Sequence, residues 1–193
     1  MTAQISDFLI LEGSEYNISA IQNKWPFDPK EHGFNPVSPH TACWRGYYCK
    51  YIVQDKELYL CSLNVSIGEG NPVGWAGAMP QESEFFKYDR MWEYKPKGYK
   101  VPYTGGIVIA RDFIREFYVH MGFHRPHCYA IVKELIFRNG YLENETDHSE
   151  KMKFVRDSLR SAANKSDTQT PTIEEIERYV NAAFSLSYEN KWT

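Results

Sequence analysis

The side chains best equipped for chemistry fall in two short stretches. In the first, His40-Thr41-Ala42-Cys43-Trp44-Arg45-Gly46-Tyr47-Tyr48 places an imidazole, an indole, a guanidinium and two phenols at the start of an apolar run. A guanidinium offers a planar fork that matches a carboxylate or a phosphate, and a neighbouring glycine allows close backbone approach. Arg45, with the Trp44 indole stacked on its plane, therefore reads as an anion clamp. The reading favoured over that one is a structural arginine that satisfies carbonyls or a carboxylate within the fold, with Trp44 in the core. In the second stretch, Tyr118, His120, His124, Arg125, His127 and Cys128 lie close together. Imidazole and thiolate are zinc ligands. However, Gly122 and Pro126 interrupt the helix that would put His120 and His124 on one face, and no second ligand pair follows at a recognised spacing. Neither a metal nor another cofactor is expected.

Two function classes follow from these stretches. If the hairpins that carry them are neighbours, His40, Arg45, Tyr118 and His120 supply a base, an anion clamp and a proton donor. That set would suit a hydrolase or nuclease acting on a phosphate-containing substrate. The chain has no GxSxG elbow, Walker loop, dinucleotide fingerprint or kinase set to anchor an enzyme class. The other class is a protein-binding surface, because Tyr and Trp combine large contact area with a polar handle. Trp44, Arg45, Tyr48, His124 and Arg125 are its contact candidates. Packing competes with both, since a β domain of this size needs large side chains to fill it.

The elements that must position these residues are mostly strands. Phe8 to Leu11 and Tyr16 to Ile18 flank a Gly-containing turn and predict a first hairpin. Pro26, Pro29, Pro36 and Pro39 make the next segment a loop. Tyr47 to Val53 and Leu58 to Val65 predict a second hairpin. A two-residue period puts Tyr47, Cys49, Tyr51 and Val53 on one face, Tyr59, Cys61, Leu63 and Val65 on one face of the returning strand, and Lys50 and Gln54 pointing away. Ser66 to Pro102 mixes Gly and Pro with aromatic residues, so it reads as an ordered insertion, either a short helix near Glu82 to Asp89 or a lid. Gly106 to Ala110 and Tyr129 to Phe137 predict further strands, and Asn139-Gly140 predicts a type I′ hairpin turn.

After Glu143 the period changes. Met152, Val155, Leu159 and Ala162 predict an amphipathic helix between Ser149 and Asn164. Thr172 and Glu175 match a capping box ahead of Ile173, Ile176, Val180 and Phe184, which predicts a second helix. That stripe packs on the domain's own sheet or docks a partner. The fold expected is α+β, a mainly antiparallel sheet of sandwich or half-barrel-like meander form with two C-terminal helices. Residues 1–145 form the β-rich domain, with the insertion at 66–102, and 146–193 form a helical extension packed on it.

The segment from Trp44 through YYCKYIVQDKELYLCSL, then YTGGIVIARDF at Tyr103 to Phe113, YVHMGF at Tyr118 to Phe123 and CYAIVKELIFRNGYL at Cys128 to Leu142, occur in a characteristic order. In that order they resemble a family of uncharacterised bacterial β-rich proteins with a "WRGY" strand. The resemblance spans roughly positions 34 to 142. Phe123 stands where the family pattern has Tyr, and His124-Arg125-Pro126-His127 replaces a plainer stretch. The family implies a β-rich fold and no established activity.

Charge and cysteines bound the rest. With a net charge of −3 the 193-residue chain has no overall positive field for phosphate backbones, so nucleic acid is not favoured as a partner. Its apolar runs are far shorter than the ~20 residues of a membrane helix. The start of the sequence lacks the basic and apolar regions of a secretory signal, which predicts a cytoplasmic protein. In that compartment Cys43, Cys49, Cys61 and Cys128 are expected as free thiols. Together these readings favour a cytoplasmic protein-binding module, immunity- or antitoxin-like, over the hydrolase. They say nothing of oligomeric state.

Overall fold

The computed structural model describes residues 2–163 and 186–188. Its elements, in chain order, are β1 (Phe8–Leu11), β2 (Ser14–Ile21), β3 (Tyr47–Gln54), β4 (Glu57–Val65), β5 (Gln81–Glu82), α1 (Phe86–Asp89), β6 (Trp92–Tyr94), β7 (Tyr99–Lys100), β8 (Gly105–Phe113), β9 (Tyr129–Arg138), β10 (Tyr141–Asp147) and α2 (Ser149–Ala163). Three hairpins turn on just two residues each: Glu12-Gly13, Asp55-Lys56 and Asn139-Gly140. Both residues of every pair have positive φ, the type I′ geometry whose twist suits flanking strands. Asn139-Gly140 announces this in its residue types. Asp55-Lys56 does not, and there the strands run further than their apolar residues suggested.

The strands pair in the order β10-β9-β8-β2-β1-β3-β4-β6-β5. Only β1 with β3 is parallel among these strand pairs, so the sheet is mainly antiparallel, as expected. The path of pairings returns on itself because Tyr141 of β10 pairs with Glu57 of β4. Leu58 N–H donates to the Gly140 carbonyl, and Leu142 N–H to that of Lys56. Within the insertion at 66–102 a short helix, α1, lies at the end of the Glu82 to Asp89 stretch, and short strands accompany it. Of these, β6 and β7 pair with β4, which blunts an otherwise open strand edge, and α1 stands beside them.

One face of the sheet is the main core, where Leu9, Ile18, Tyr51, Leu60, Leu63, Tyr94, Ile107, Leu135 and Phe137 are sealed from solvent. A second cluster covers the outward side of β2, β8 and β9, built from Ala20, Val108, Ala110 and Val132 with Met152 and Val155 of α2. The helix begins where Asp147 accepts the Ser149 N–H at 2.7 Å and ends within one residue of the predicted stop. Its buried side is Met152, Val155 and Arg156 rather than the full expected stripe, and Leu159 is exposed. Arg156 turns inward because the Tyr129 carbonyl accepts from its Nη1 at 2.6 Å. The second predicted helix, Thr172 to Phe184, lies outside the described residues. No helix among the described residues is long and apolar enough to cross a membrane.

Candidate functional site

The second hairpin carries the main correction to the sequence reading. Opposite Lys50 and Tyr51 lie Ser62 and Leu60, so Cys61 is an extra residue in β4, a β-bulge. The bulge shifts the two-residue period. Leu58 and Leu60 face the core together with Leu63 and Val65, whereas Tyr59 shares the outer face with Ile52. The expected face of Tyr59, Cys61, Leu63 and Val65 is thereby broken in the middle.

That outer face is the floor of a groove of about 1610 Å³, lined from the sheet by Phe8, Tyr48, Lys50, Ile52, Tyr59 and Asn64. Lys50 and Gln54, expected to point away from the core, both line it. Phe8 meets Tyr48 edge-on at 6.4 Å between ring centroids. Lys50 lies 5.9 Å from the Phe8 ring centroid and pairs with Glu15 at 2.7 Å. Burial raises the Tyr48 phenol first, then the fields of Asp89, Cys43, Glu93 and Glu84, and together they push its pKa up to about 12.

The insertion forms the groove's rim. Asp89 Oδ1 accepts from Ser83 Oγ and from the Met91 N–H. Met91 is sealed from solvent, and Phe86 packs on Trp92 at 4.8 Å. With those anchors set, Phe85 and Tyr88 of the same turn are left 56% and 87% exposed against the groove.

Arg45 does something else. Its Nη2 donates to Asp7 Oδ1 at 2.6 Å, and the same oxygen accepts the Cys49 N–H at 3.0 Å. Asp7 is fully buried. The guanidinium lies 3.6 Å from the Trp25 ring centroid, with Tyr47 and Phe123 further out. Burial works against the charged guanidinium, but the charge and hydrogen bond of Asp7 outweigh it and hold the proton more tightly than usual. Gly46 has φ 74°, and a Cβ there would lie 2.7 Å from the Val37 backbone. Trp44 is half exposed, and its backbone N–H donates to Gln4 Oε1. The Trp44-Arg45-Gly46-Tyr47 motif is thus a junction that fastens the chain before β1 to the start of β3.

The remaining candidates sit elsewhere. His40 lines the groove with Tyr48, and its Nδ1 accepts the Ala42 N–H. Tyr118 and His120 meet at 2.9 Å, phenol oxygen to Nδ1, on the loop after β8. The His124 ring lies 5.3 Å from that of Tyr118 and 4.7 Å from that of Phe113. Burial lowers the pKa of His124, partly opposed by a hydrogen bond with the Val119 backbone, and burial also lowers that of Arg125. Among the described residues no hydrogen bond, ion pair or ring contact joins Arg45 to His40, Tyr118 or His120. Nor does any group of three or more His, Cys, Asp or Glu among them stand ready to hold a metal ion. All four cysteines are free thiols.

Sequence reasoning missed Asp7, Phe8, Tyr59, Asn64, Glu84, Phe85, Tyr88 and Asp89. The aromatic density of the insertion signalled the last group, since rings not needed for filling end at the surface. Asp7 had no local signal, being 38 residues from its partner. Neither protein-family models, nor curated proteins, nor solved structures give a match to this chain.

Proposed function

We propose that this chain is a protein-binding module whose contact surface is the groove on the outer faces of β3 and β4. The observation that carries the reading is the pair of exposed rings, Phe85 and Tyr88, held against a large open groove by an anchored turn. Large aromatic side chains on a fixed backbone give contact area at little entropic cost, which is why they dominate binding hot spots. The setting is that of an immunity- or antitoxin-like partner in the cytoplasm, a role that needs a binding face and no turnover. Free thiols at all four cysteines support a reducing compartment. A half-barrel-like shape belongs to the same proposal and is supported by the pairing of Tyr141 with Glu57.

The hydrolase reading needs an arginine free to hold an anion, and the pairing of Arg45 with Asp7 weighs against it. The test is affinity capture from the native cell with wild type and with Phe85→Ala/Tyr88→Ala. A stoichiometric protein held by wild type and lost by the folded double variant is expected. Capture that is unchanged in the variant, or no specific partner with wild type, would overturn the proposal.

A further inference from the structure

The groove is not electrically uniform. Tyr48 of β3 pairs with Asn64 of β4, which pairs in turn with Glu93 of β6, so these three form one row across the floor at the end where α1 stands. Glu84, Phe85, Tyr88 and Asp89 close that end. Glu93 has a cation of its own, Lys95 at 2.8 Å. Glu84 and Asp89 have no ion pair among the described residues, and the Asp89 oxygen that is engaged accepts from neutral donors. Lys87 and Arg90, the cations nearest in sequence, are not part of the lining, and Arg90 lies over the Phe86 ring instead; of the lysines that do line the groove, Lys50 pairs with Glu15, Lys95 pairs with Glu93, and Lys97 follows in the turn after Pro96.

Three aromatic rings and two carboxylates without a cation therefore surround one end of a groove open to solvent. Resting on the protein-binding reading, we infer that this end of the groove receives an arginine side chain of the partner protein. A guanidinium is planar and weakly hydrated, stacks on aromatic faces and forks onto carboxylates, so it suits such walls better than an ammonium does. The Tyr48 phenol, raised first by burial, agrees in that Asp89, Glu93 and Glu84 are among the groups whose fields raise it further.

The probe is a capped Gly-Arg-Gly peptide, titrated into the full chain while backbone amide resonances are followed. Its Lys and Glu counterparts serve as comparisons. Weak, salt-sensitive binding of the Arg peptide is expected, centred on Tyr48, Asn64 and residues 84–89, about threefold tighter than the Lys peptide, and absent for the Glu peptide. Glu84→Lys, at an exposed position, should weaken it at least tenfold without changing the fold. Equal response to Arg and Glu peptides, shifts centred elsewhere, or no response at all would overturn the inference. The captured partner separates the two claims. If it is lost with Phe85→Ala/Tyr88→Ala yet binds Glu84→Lys as tightly as wild type, the groove binds but takes no arginine; if the double variant holds it, the binding reading itself fails.

Discussion

The two outward faces of this sheet follow opposite rules. Over β2, β8 and β9 they carry Ala20, Val108, Ala110 and Val132, and α2 seats Met152 and Val155 on them. Over β3 and β4 they carry Tyr48, Lys50, Ile52, Tyr59, Ser62 and Asn64, which floor a groove. Small apolar side chains must be covered, because leaving them wet forfeits about 25 cal/mol for each Å². Hydroxyls, an amide and an ammonium can stay hydrated. Among the described residues, the face over β2, β8 and β9 is thus apolar and covered, while that over β3 and β4 carries the groups that tolerate water. The means of fastening differ too. The covered face is held by apolar packing, while the open half is pinned at its edge by Asp7 on Arg45, next to the parallel pairing of β1 and β3.

The sharpest way to break this comparison is to remove that pin. Asp7→Ala strands a guanidinium that is only 17% exposed, and losing one partner of such a pair costs about 3–5 kcal/mol. A fall in Tm of roughly 10 °C is expected. Adding Arg45→Leu should recover part of it, because the stranded charge is then gone. A single variant as stable as wild type in urea titration would show that packing holds both halves. Met152→Ala comes next: Met152 is 4% exposed, and its truncation should cost about 2–5 kcal/mol. Tyr88→Ala should stay within about 0.5 kcal/mol of wild type. Equal losses at the two positions would make the groove rim part of the core.

Gly106→Ala tests the packing of the covered half, on β8, at somewhat smaller cost. A Cβ at 106 would strike the Tyr188 phenol, which donates to Glu134 Oε1 at 2.7 Å. Overpacking of this kind costs about 1–3 kcal/mol. Gly106→Ala combined with Tyr188→Phe should be milder than Gly106→Ala alone, because the oxygen in the way is then removed.

How much of this was legible depends on the range of the interaction. The three hairpins and the first C-terminal helix are written in local period and turn chemistry, and their strands and helix stand close to where those signals put them. The fault at Cys61 is different in kind. A β-bulge is set by what the partner strand places opposite, so the alternation of β4 alone reads smoothly through it. Arg45 illustrates the same limit. Its residue type and neighbours admit an anion clamp beside the favoured structural arginine, and it is the arrival of Asp7 from before β1 that distinguishes them. The groove escaped because its floor depends on that bulge and its rim on the anchoring of Asp89 by Ser83 and Met91.

Acid should distinguish the two halves by a smaller margin. His127 lies beside α2: its carbonyl accepts from Arg156 Nη1 at 3.4 Å, and its ring meets that of Phe117 at 6.0 Å. Burial lowers its pKa below the usual 6.5, and the charges of Arg125 and Arg156 lower it further. His124 moves the same way through burial. A base whose folded pKa is depressed takes up its proton more readily when unfolded. Its contribution to stability is therefore whole above about pH 6.5 and is lost as pH falls through that value toward the folded one. The carboxylates that the fold lowers, Glu57, Glu116 and Asp147, titrate below their ordinary values of 4.5 and 3.8 and so act beneath this window. Tm should fall between pH 7.5 and 5.5, and His127→Gln should reduce that fall, since glutamine keeps the polarity and cannot charge. An undiminished fall in both His127→Gln and His124→Gln would show that neither half-buried imidazole is its source.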